Sequence, residues 1–572
     1  MNAQQPTALG ETPADTLVRG GRVCLVEAGE FRRRDVAIRA GRIAALPEDG
    51  SPLIGPDTDV VDADGRPVIP GLIDAHTHVD IRVAFERLYP YALRGGTTTV
   101  VTESNGFGSS FPVAGAEQLL EATADLPIDL RIAASPQACY DLFEPQSGGE
   151  ETVAGLLELL EADRVVALGE ISWIYVVGRS DPVSTLVERA NALGKPVTGH
   201  GAGCSGEKLT AFATVVDDDH EPIAAEEAIE RIENGLHVVG RYGSRDDIEA
   251  VAGAYDRFGP EELSLSTDGM PLERLLEGEY MNLVVRRAIE AGIEPVDAVR
   301  MATLNPARHF GLEGRGTLAP GAHADLVVLE GLDSMAVDTV LFEGERVVGG
   351  GRSLVEPRPY DYPAWFRDTV DVAVDPGALR IPADVADRDG RVRGIEFVGG
   401  MVTRETSLSP PIEDGVLLAD PGGDVQKVAV LEREADEPSF VGFVTGFDLD
   451  ADAVATTTAM QLPAVLAVGS DDAAIARALE RLSAIGGGWV VVDGSAPAAE
   501  FPLPIGGSVA SVPAPEGYDR LNAVRSAFGS ERSDVRVGIS SLAFTGVPAL
   551  KLTFSGYADV IRREVVGLSP ES

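Results

Sequence analysis

The stretch GLIDAHTHVD, residues 71–80, closes an apolar run with two histidines one residue apart. The whole chain of 572 residues has only seven histidines. If LIDAH is a strand, alternate side chains share a face, so His76 and His78 point the same way. Two imidazoles on one face near a strand end can grip a metal ion. Two hydrogen-bonded core histidines are the plainer alternative, and the rest of the chain decides between them.

Working outward from this run, short β-branched stretches alternate with helical ones. Eight such runs follow one another: GLIDAH, TTTVVTE, LRIAAS, VVALGE, KPVTGH, ATVVDDDH, LHVVGR and LSLSTD. Helical patterns such as DPVSTLVERANALG, with Asp181 placed as a cap, IAAEEAIERIENG and SRDDIEAVAGAYDRFG separate them. Eight strand–helix units over residues 71–313 predict an α/β protein built on a (β/α)8 TIM-like barrel.

The flanks differ. Residues 1–70 carry short β-rich runs broken by glycine turns, and residues 314–356 return to the same pattern. Together they predict one small β-sandwich domain made from both sides of the barrel. Between barrel and sandwich, EYMNLVVRRAIEAGIEPVDAVRMATLNPARHFGL reads as two helices. Residues 357–572 read as a separate C-terminal α/β domain, in which DDAAIARALERLSAIGGGWVVVDG is a helix, a glycine stop and a buried strand.

In a barrel of this kind, chemistry gathers at the C-terminal ends of the strands. Run one ends at His76 and His78, run four at Glu170, run five at His200, run six at His220 and run eight at Asp268. Any one of these has a bland reading, as a helix cap or a satisfied core histidine. Their convergence on one rim predicts a metal site. His237, His309 and His323 fall elsewhere in the pattern and keep the structural reading.

Four imidazoles and two carboxylates exceed the needs of one tetrahedral ion, whereas two divalent ions sharing a carboxylate would use them all. Such a pair turns water into a nucleophile at neutral pH, suited to a polarised sp² carbon. Asp268 is placed to move protons. Nitrogen and oxygen ligands without thiolate suit Mn²⁺, Fe²⁺ or Zn²⁺ alike.

Composition bounds the rest. Acidic residues number 91 against 47 basic ones, a net charge of −44, and only four of the basic residues are lysines. The excess is spread along the chain, which argues against nucleic acid as a partner. It fits solubility in concentrated salt and a halophilic source. No apolar run has membrane-spanning length, and no leader pattern opens the chain, so no membrane partner and a cytoplasmic location are expected. Homo-oligomer formation is left open. Cys24, Cys139 and Cys204 are scattered, which excludes a disulfide framework.

On VIPGLIDAHTH, the strand-end Glu, His, His and Asp, and GTLAPGAHADLVVL, the sequence resembles the amidohydrolase superfamily. GHGAGCSGEKLTAF, DDDHEPIAAEEAIERIENG, RYGS, RMATLNPARHFGL and FPLPIGG are similar to its adenine deaminase family. The resemblance implies hydrolysis of adenine to hypoxanthine and ammonia, with two divalent ions, manganese first. It implies His76 and His78 on one ion, a bridging Glu170, His200 and His220 on the other, and Asp268 as ligand and proton shuttle.

Three stretches depart from that family. Where it has Asp-Pro-His-Glu after strand two, this chain has TESNGFGSS, with Glu103 for the Asp and Asn105 and Gly106 for the His and Glu. Gly269 replaces a second acid after Asp268, and TTTAMQLPAVLAVG, residues 456–469, lacks the family's ionisable groups. Glu103, Asn105, Arg241 and Ser244 are the candidate substrate contacts, with a purine base as the expected small molecule. A different heterocycle or cyclic amide on the same metal centre is the second reading, and a non-catalytic barrel scaffold or binder the third.

Overall fold

The structure is a computed structural model that describes residues 3–143 and 149–570. The eight expected strands form: β1 (Leu72–Thr77), β2 (Thr97–Glu103), β3 (Asp129–Ala134), β4 (Val165–Ser172), β5 (Val197–His200), β6 (Asp218–Asp219), β7 (His237–Arg241) and β8 (Leu263–Ser266). All pair in parallel, β1 through β5 in one ladder and β6 through β8 in another. Every residue of these strands except Arg131 is buried, as expected where helices cover the outside and side chains fill the inside.

Other hydrogen bonds close the ring. Between β5 and β6, the Asp217 amide donates to the Val197 carbonyl at 2.8 Å, and the Val197 amide donates back to the Asp217 carboxylate at 2.8 Å. Between β8 and β1, the Asp268 amide donates to the His76 carbonyl at 2.9 Å. Asp74 reinforces that seam, accepting from the Thr267 amide at 2.9 Å and from its hydroxyl at 2.7 Å. Burial pushes the Asp74 carboxyl up to about 6 against those bonds. This closure draws the ends of β1 and β8, with their histidines and aspartate, side by side.

A helix follows each strand, from Phe85–Arg94 after β1 to Met281–Glu290 after β8. After β4 and a short helix, Trp173–Gly178, a second helix starts at Asp181, but Ser180 is its N-cap residue, not the aspartate, and no side-chain cap bond forms. The segment after the barrel makes three helices instead of two: Met281–Glu290, Pro295–Met301 and Leu304–His309. The second break falls at Thr303, whose extended φ of −142° interrupts the helix three residues before Pro306.

The two flanks do build a common β structure. Leu326–Leu329 pairs with Pro67–Pro70, which pairs in turn with Thr16–Leu25. The expected sandwich is one continuous sheet of nine strands. An irregularity between Val18 and Gly21 lets the long strand Thr16–Leu25 pair with Asp59–Asp62 through its first half and with Pro67–Pro70 through its second. The sheet wraps round a core that includes Val18, Val36, Val68, Leu326 and Leu341.

The C-terminal region has an eight-stranded sheet, antiparallel apart from the pairing of Val392–Gly399 with Phe440–Thr445. The expected helix, glycine stop and buried strand form as Asp472–Ala484 and Gly488–Asp493, and most other connections are hairpins, too short for a crossover helix. Helix Asp472–Ala484 covers one face, capped by Asp471, whose carboxylate accepts from the Ala474 amide. This region also reaches the barrel rim. Val509–Ala510 pairs in parallel with Arg82–Val83 just past β1, and the Ser508 hydroxyl donates to the Gly106 carbonyl at 2.8 Å.

Candidate metal centre

The six strand-end residues meet at one end of the barrel. His76 Nε2 lies 3.8 Å from Glu170 Oε2 and 3.5 Å from Asp268 Oδ1. His78 Nε2 lies 3.2 Å from the same Asp268 oxygen, and His220 Nε2 lies 3.2 Å from Glu170 Oε2. His200 packs against His220, ring centres 5.3 Å apart, and its Nε2 is 3.7 Å from Glu221 Oε1. Three overlapping sets can each hold an ion: His76, Glu170 and His220; His76, His78 and Asp268; His200, His220 and Glu221.

These side chains fit metal ions better than they fit one another. Metal–nitrogen and metal–oxygen bonds of about 2.1 Å put neighbouring ligand atoms roughly 3.0–3.4 Å apart, close to the separations seen. His76 Nε2 and Glu170 Oε2 are buried without any hydrogen-bond partner, an arrangement that costs free energy unless a ligand completes it. Charge points the same way. Three buried carboxylates, Glu103, Glu170 and Glu221, and the partly buried Asp268 gather around the guanidinium of Arg241 and a group of imidazoles. Burial would raise Glu221 and Asp268. Instead the neighbouring His76 and His78 imidazoles and Arg241 hold Asp268 well below the usual carboxylate range, and Arg241, His200 and His220 hold Glu221 at about 2.

Glu221 was not among the residues singled out from the sequence. Its one signal is adjacency to His220 in DDDHEP. The turn after the two-residue β6 is fixed by Asp219, which accepts from the amides of Gly201 at 2.9 Å and Glu221 at 3.1 Å. The fully buried Arg231 donates to Asp219 at 2.8 Å and to the Gly201 carbonyl at 2.9 Å. The chain bends so that consecutive residues, His220 and Glu221, both face the centre, which strand alternation forbids.

The four candidate substrate contacts also lie here, each already engaged. Glu103 Oε1 accepts from the Thr198 hydroxyl at 2.8 Å and stands 3.4 Å from His76 Nδ1, behind the ring. Asn105 donates to Glu170 Oε1 at 2.9 Å, and its own Oδ1 is buried without a partner. Arg241 bridges Glu221, Asp247 and Asp268. The Ser244 hydroxyl donates to Asp268 Oδ2. Gly106 permits the close approach of this loop to β1, since a Cβ there would stand 2.2 Å from the Asp80 carbonyl oxygen.

The remaining three histidines sit apart. His237 and His309 stack with ring centres 4.5 Å apart, and His309 Nε2 lies 2.6 Å from Asp218. His323 pairs with Glu343 at 3.2 Å. All three cysteines are free and buried. Among the described residues no helix is long and apolar enough to cross a membrane.

The C-terminal region roofs the centre. The Phe544 ring lies 5.2 Å from the His200 ring, and the Thr545 hydroxyl is 2.7 Å from that of Tyr175. Thr545 donates to Gln461 Oε1 at 2.8 Å, which leaves Gln461 Nε2 buried and unpartnered.

Residues 68–347 match the amidohydrolase family, and residues 400–564 match the adenine deaminase C-terminal domain. The chain is 32% identical over 561 residues to a protein of Methanothrix thermoacetophila named adenine deaminase, across 97% of this chain and 96% of that one. It is 34% identical over 581 residues to one of the same name from Moorella thermoacetica, across 98% and 96%.

Proposed function

This chain belongs to the adenine deaminase family of amidohydrolases, and from that membership we propose that it hydrolyses adenine to hypoxanthine and ammonia. It is a hydrolase acting on C–N bonds. One observation carries the reading: similarity to adenine deaminases runs through nearly the whole chain, and four imidazoles and three carboxylates converge at the rim of its barrel.

In this proposal His76, His78 and Asp268 hold one divalent ion, His200 and His220 the other, and Glu170 lies between them. Glu221 borders the second set. The ions would supply a water acidic enough to lose a proton near neutral pH. Manganese is the first choice, with Fe²⁺ and Zn²⁺ admitted by the same donors.

The chain's own groups do the remaining work. Ser244 and Arg241 hold Asp268 Oδ2, leaving Oδ1 turned toward His76 and His78. A carboxylate fixed in that way can accept the proton of the attacking water as its oxygen bonds to C6 of the purine. It then delivers the proton to the exocyclic nitrogen, so that the C6–N bond breaks and ammonia leaves, while the second proton of the water passes to N1 as the C6 carbonyl forms. Glu103, behind His76, fixes the ring that grips the first ion. Asn105 orients Glu170 and keeps its free Oδ1 for a ring N–H, and Phe544 offers a flat apolar wall to a planar base.

The test is hypoxanthine formation from adenine, followed by absorbance in high salt with added Mn²⁺. Ammonia release from another heterocycle or cyclic amide in a preparation that leaves adenine untouched would keep the metal chemistry and overturn the substrate.

A further inference from the structure

Five buried side chains join the C-terminal region to the barrel rim in one chain of contacts: Gln461, Thr545, Phe544, Tyr175 and Tyr140. The first three belong to the C-terminal region. Tyr175 lies in the short helix after β4, and Tyr140 lies after β3. The Tyr175 and Thr545 hydroxyls are 2.7 Å apart, and Thr545 donates to Gln461 Oε1 at 2.8 Å. The one hydroxyl proton of Thr545 is spent on Gln461, so Tyr175 is the donor in the other bond. Burial pushes the Tyr175 phenol up, which keeps that proton in place.

Both ends of this chain of contacts reach the metal-ligand cluster. Tyr175 stacks on Tyr140, ring centres 3.7 Å apart and planes 10° apart, and the Tyr140 hydroxyl donates to the Glu170 carbonyl at 3.0 Å. The Ser172 amide donates to Tyr140 Oη at 3.3 Å. On the other side Phe544, the residue before Thr545, has its ring 5.2 Å from that of His200. Gly546 lets this turn press on the end of β4, since a Cβ there would stand 2.6 Å from Ser172 Oγ and 2.6 Å from the Phe544 ring.

Two features set the contact apart from ordinary packing. Gln461 takes the left-handed conformation, φ 71°, which a residue with a Cβ adopts at a cost. Its Nε2 is buried without an acceptor, which is a further cost. Stability alone does not account for a side chain held against both. Such strain persists where the surrounding structure fixes it, and it gathers at functional sites.

We propose that Tyr175 and Thr545 are positioning residues whose hydroxyl contact, oriented by Gln461, fixes the Phe544 ring beside His200 as the wall on which the substrate ring lies. Tyr175 and Thr545 act through Phe544 and do not themselves touch the substrate. The inference rests on the function proposed above, which makes the substrate a planar base. It gives the C-terminal region a part in substrate binding, while the metal ligands all come from the barrel.

Four variants test it. Tyr175→Phe removes one hydroxyl and keeps the stack on Tyr140. Thr545→Val removes the other and keeps its shape, whereas Thr545→Ser keeps the hydroxyl. Phe544→Leu removes the flat ring and keeps apolar bulk. KM and kcat for adenine, metal content and melting temperature are measured on the metal-loaded full chain. Loss of a neutral hydrogen bond corresponds to roughly three- to tenfold, so KM is expected to rise by that factor in Tyr175→Phe and Thr545→Val, with kcat and metal content close to wild type. Thr545→Ser stays near wild type. In the Phe544→Leu background Tyr175→Phe raises KM no further, because the ring it positions is gone.

An unchanged KM in Tyr175→Phe and Thr545→Val overturns the proposal, and a lowered melting temperature would then make the contact structural only. A full Tyr175→Phe effect in the Phe544→Leu background overturns it too. So does a loss of metal or of kcat in place of the KM rise, since the contact would then act on the metal cluster. Hypoxanthine binding, read as a saturable rise in melting temperature, needs no turnover. If adenine is untouched, the same variants are compared by their half-saturating hypoxanthine concentration. A weakening of the same size that vanishes in the Phe544→Leu background keeps the wall and overturns the substrate alone. Equal responses in all variants, or no response in wild type, overturn the wall.

Discussion

Glu103 Oε1 stands 3.4 Å from His76 Nδ1, on the far side of the ring from Asp268 and Glu170. The carboxylate is buried and takes a second bond from the Thr198 hydroxyl at 2.8 Å. A carboxylate behind a ligand imidazole fixes its tautomer and raises its basicity, and loss of such a group lowers metal affinity by about 10–100-fold. Glu103→Ala is expected to weaken metal retention by that factor in a chelator competition, and Glu103→Asp to restore part of it. Unchanged metal affinity together with a raised KM would make Glu103 a substrate contact.

In the proposed binuclear centre, His76→Ala and His200→Ala each remove a ligand from a different ion. Each variant is expected to retain fewer than two ions per chain and to lose turnover, with far-ultraviolet circular dichroism close to wild type. Metal analysis of active wild type that finds no divalent ion would sink the binuclear centre.

Asp268→Asn removes the proposed proton carrier and keeps its shape. Proton transfer by a placed side chain contributes about 10²–10⁴-fold, so kcat for adenine is expected to fall by at least that much. A kcat within tenfold of wild type would assign the proton to another group.

Glu86 supplies a pH dependence. It is fully buried at the start of helix Phe85–Arg94, with Tyr362 Oη 3.3 Å away, and burial pushes its carboxyl up to about 7. Its folded value lies above its unfolded value, so the folded state holds the proton more tightly. Stability from this group is full below the unfolded value near 4.5 and declines as pH rises to about 7. Glu86→Gln is expected to stabilise the protein by up to about 3 kcal/mol at pH 8 and to change little near pH 4.5. Denaturant unfolding at the two pH values checks the sign, and equal effects at both would refute it.

The net charge of −44 predicts dependence on salt. Screening length shrinks from about 10 Å at 0.1 M to about 3 Å at 1 M, so self-repulsion grows as salt is withdrawn. The melting temperature is expected to rise steadily between low and multimolar KCl. A flat profile would count against salt adaptation.

The barrel was legible because its evidence is local. Each strand is a short β-branched run, and parallel strands buried on both faces need no partner to be recognised in sequence. His76, His78, Glu170, His200, His220 and Asp268 stood out because all lie at the ends of such runs. The sandwich and the two-helix reading after the barrel were less well placed. Each depends on which strand pairs with which, or where a helix breaks, and neither follows from periodicity alone.

What the sequence determined by itself is the repeating strand–helix order, the residue types at the strand ends and the acidic surface, since these follow from side-chain chemistry and near-neighbour geometry. Only the tertiary structure decided that Glu221 faces inward beside His220, because a bend pinned by Asp219 and Arg231 overrides strand alternation. It likewise set Glu103 behind His76 and brought Phe544 against the His200 ring. Those placements arise when the barrel closes and the C-terminal region docks on its rim, bringing together groups hundreds of residues apart that no local pattern connects.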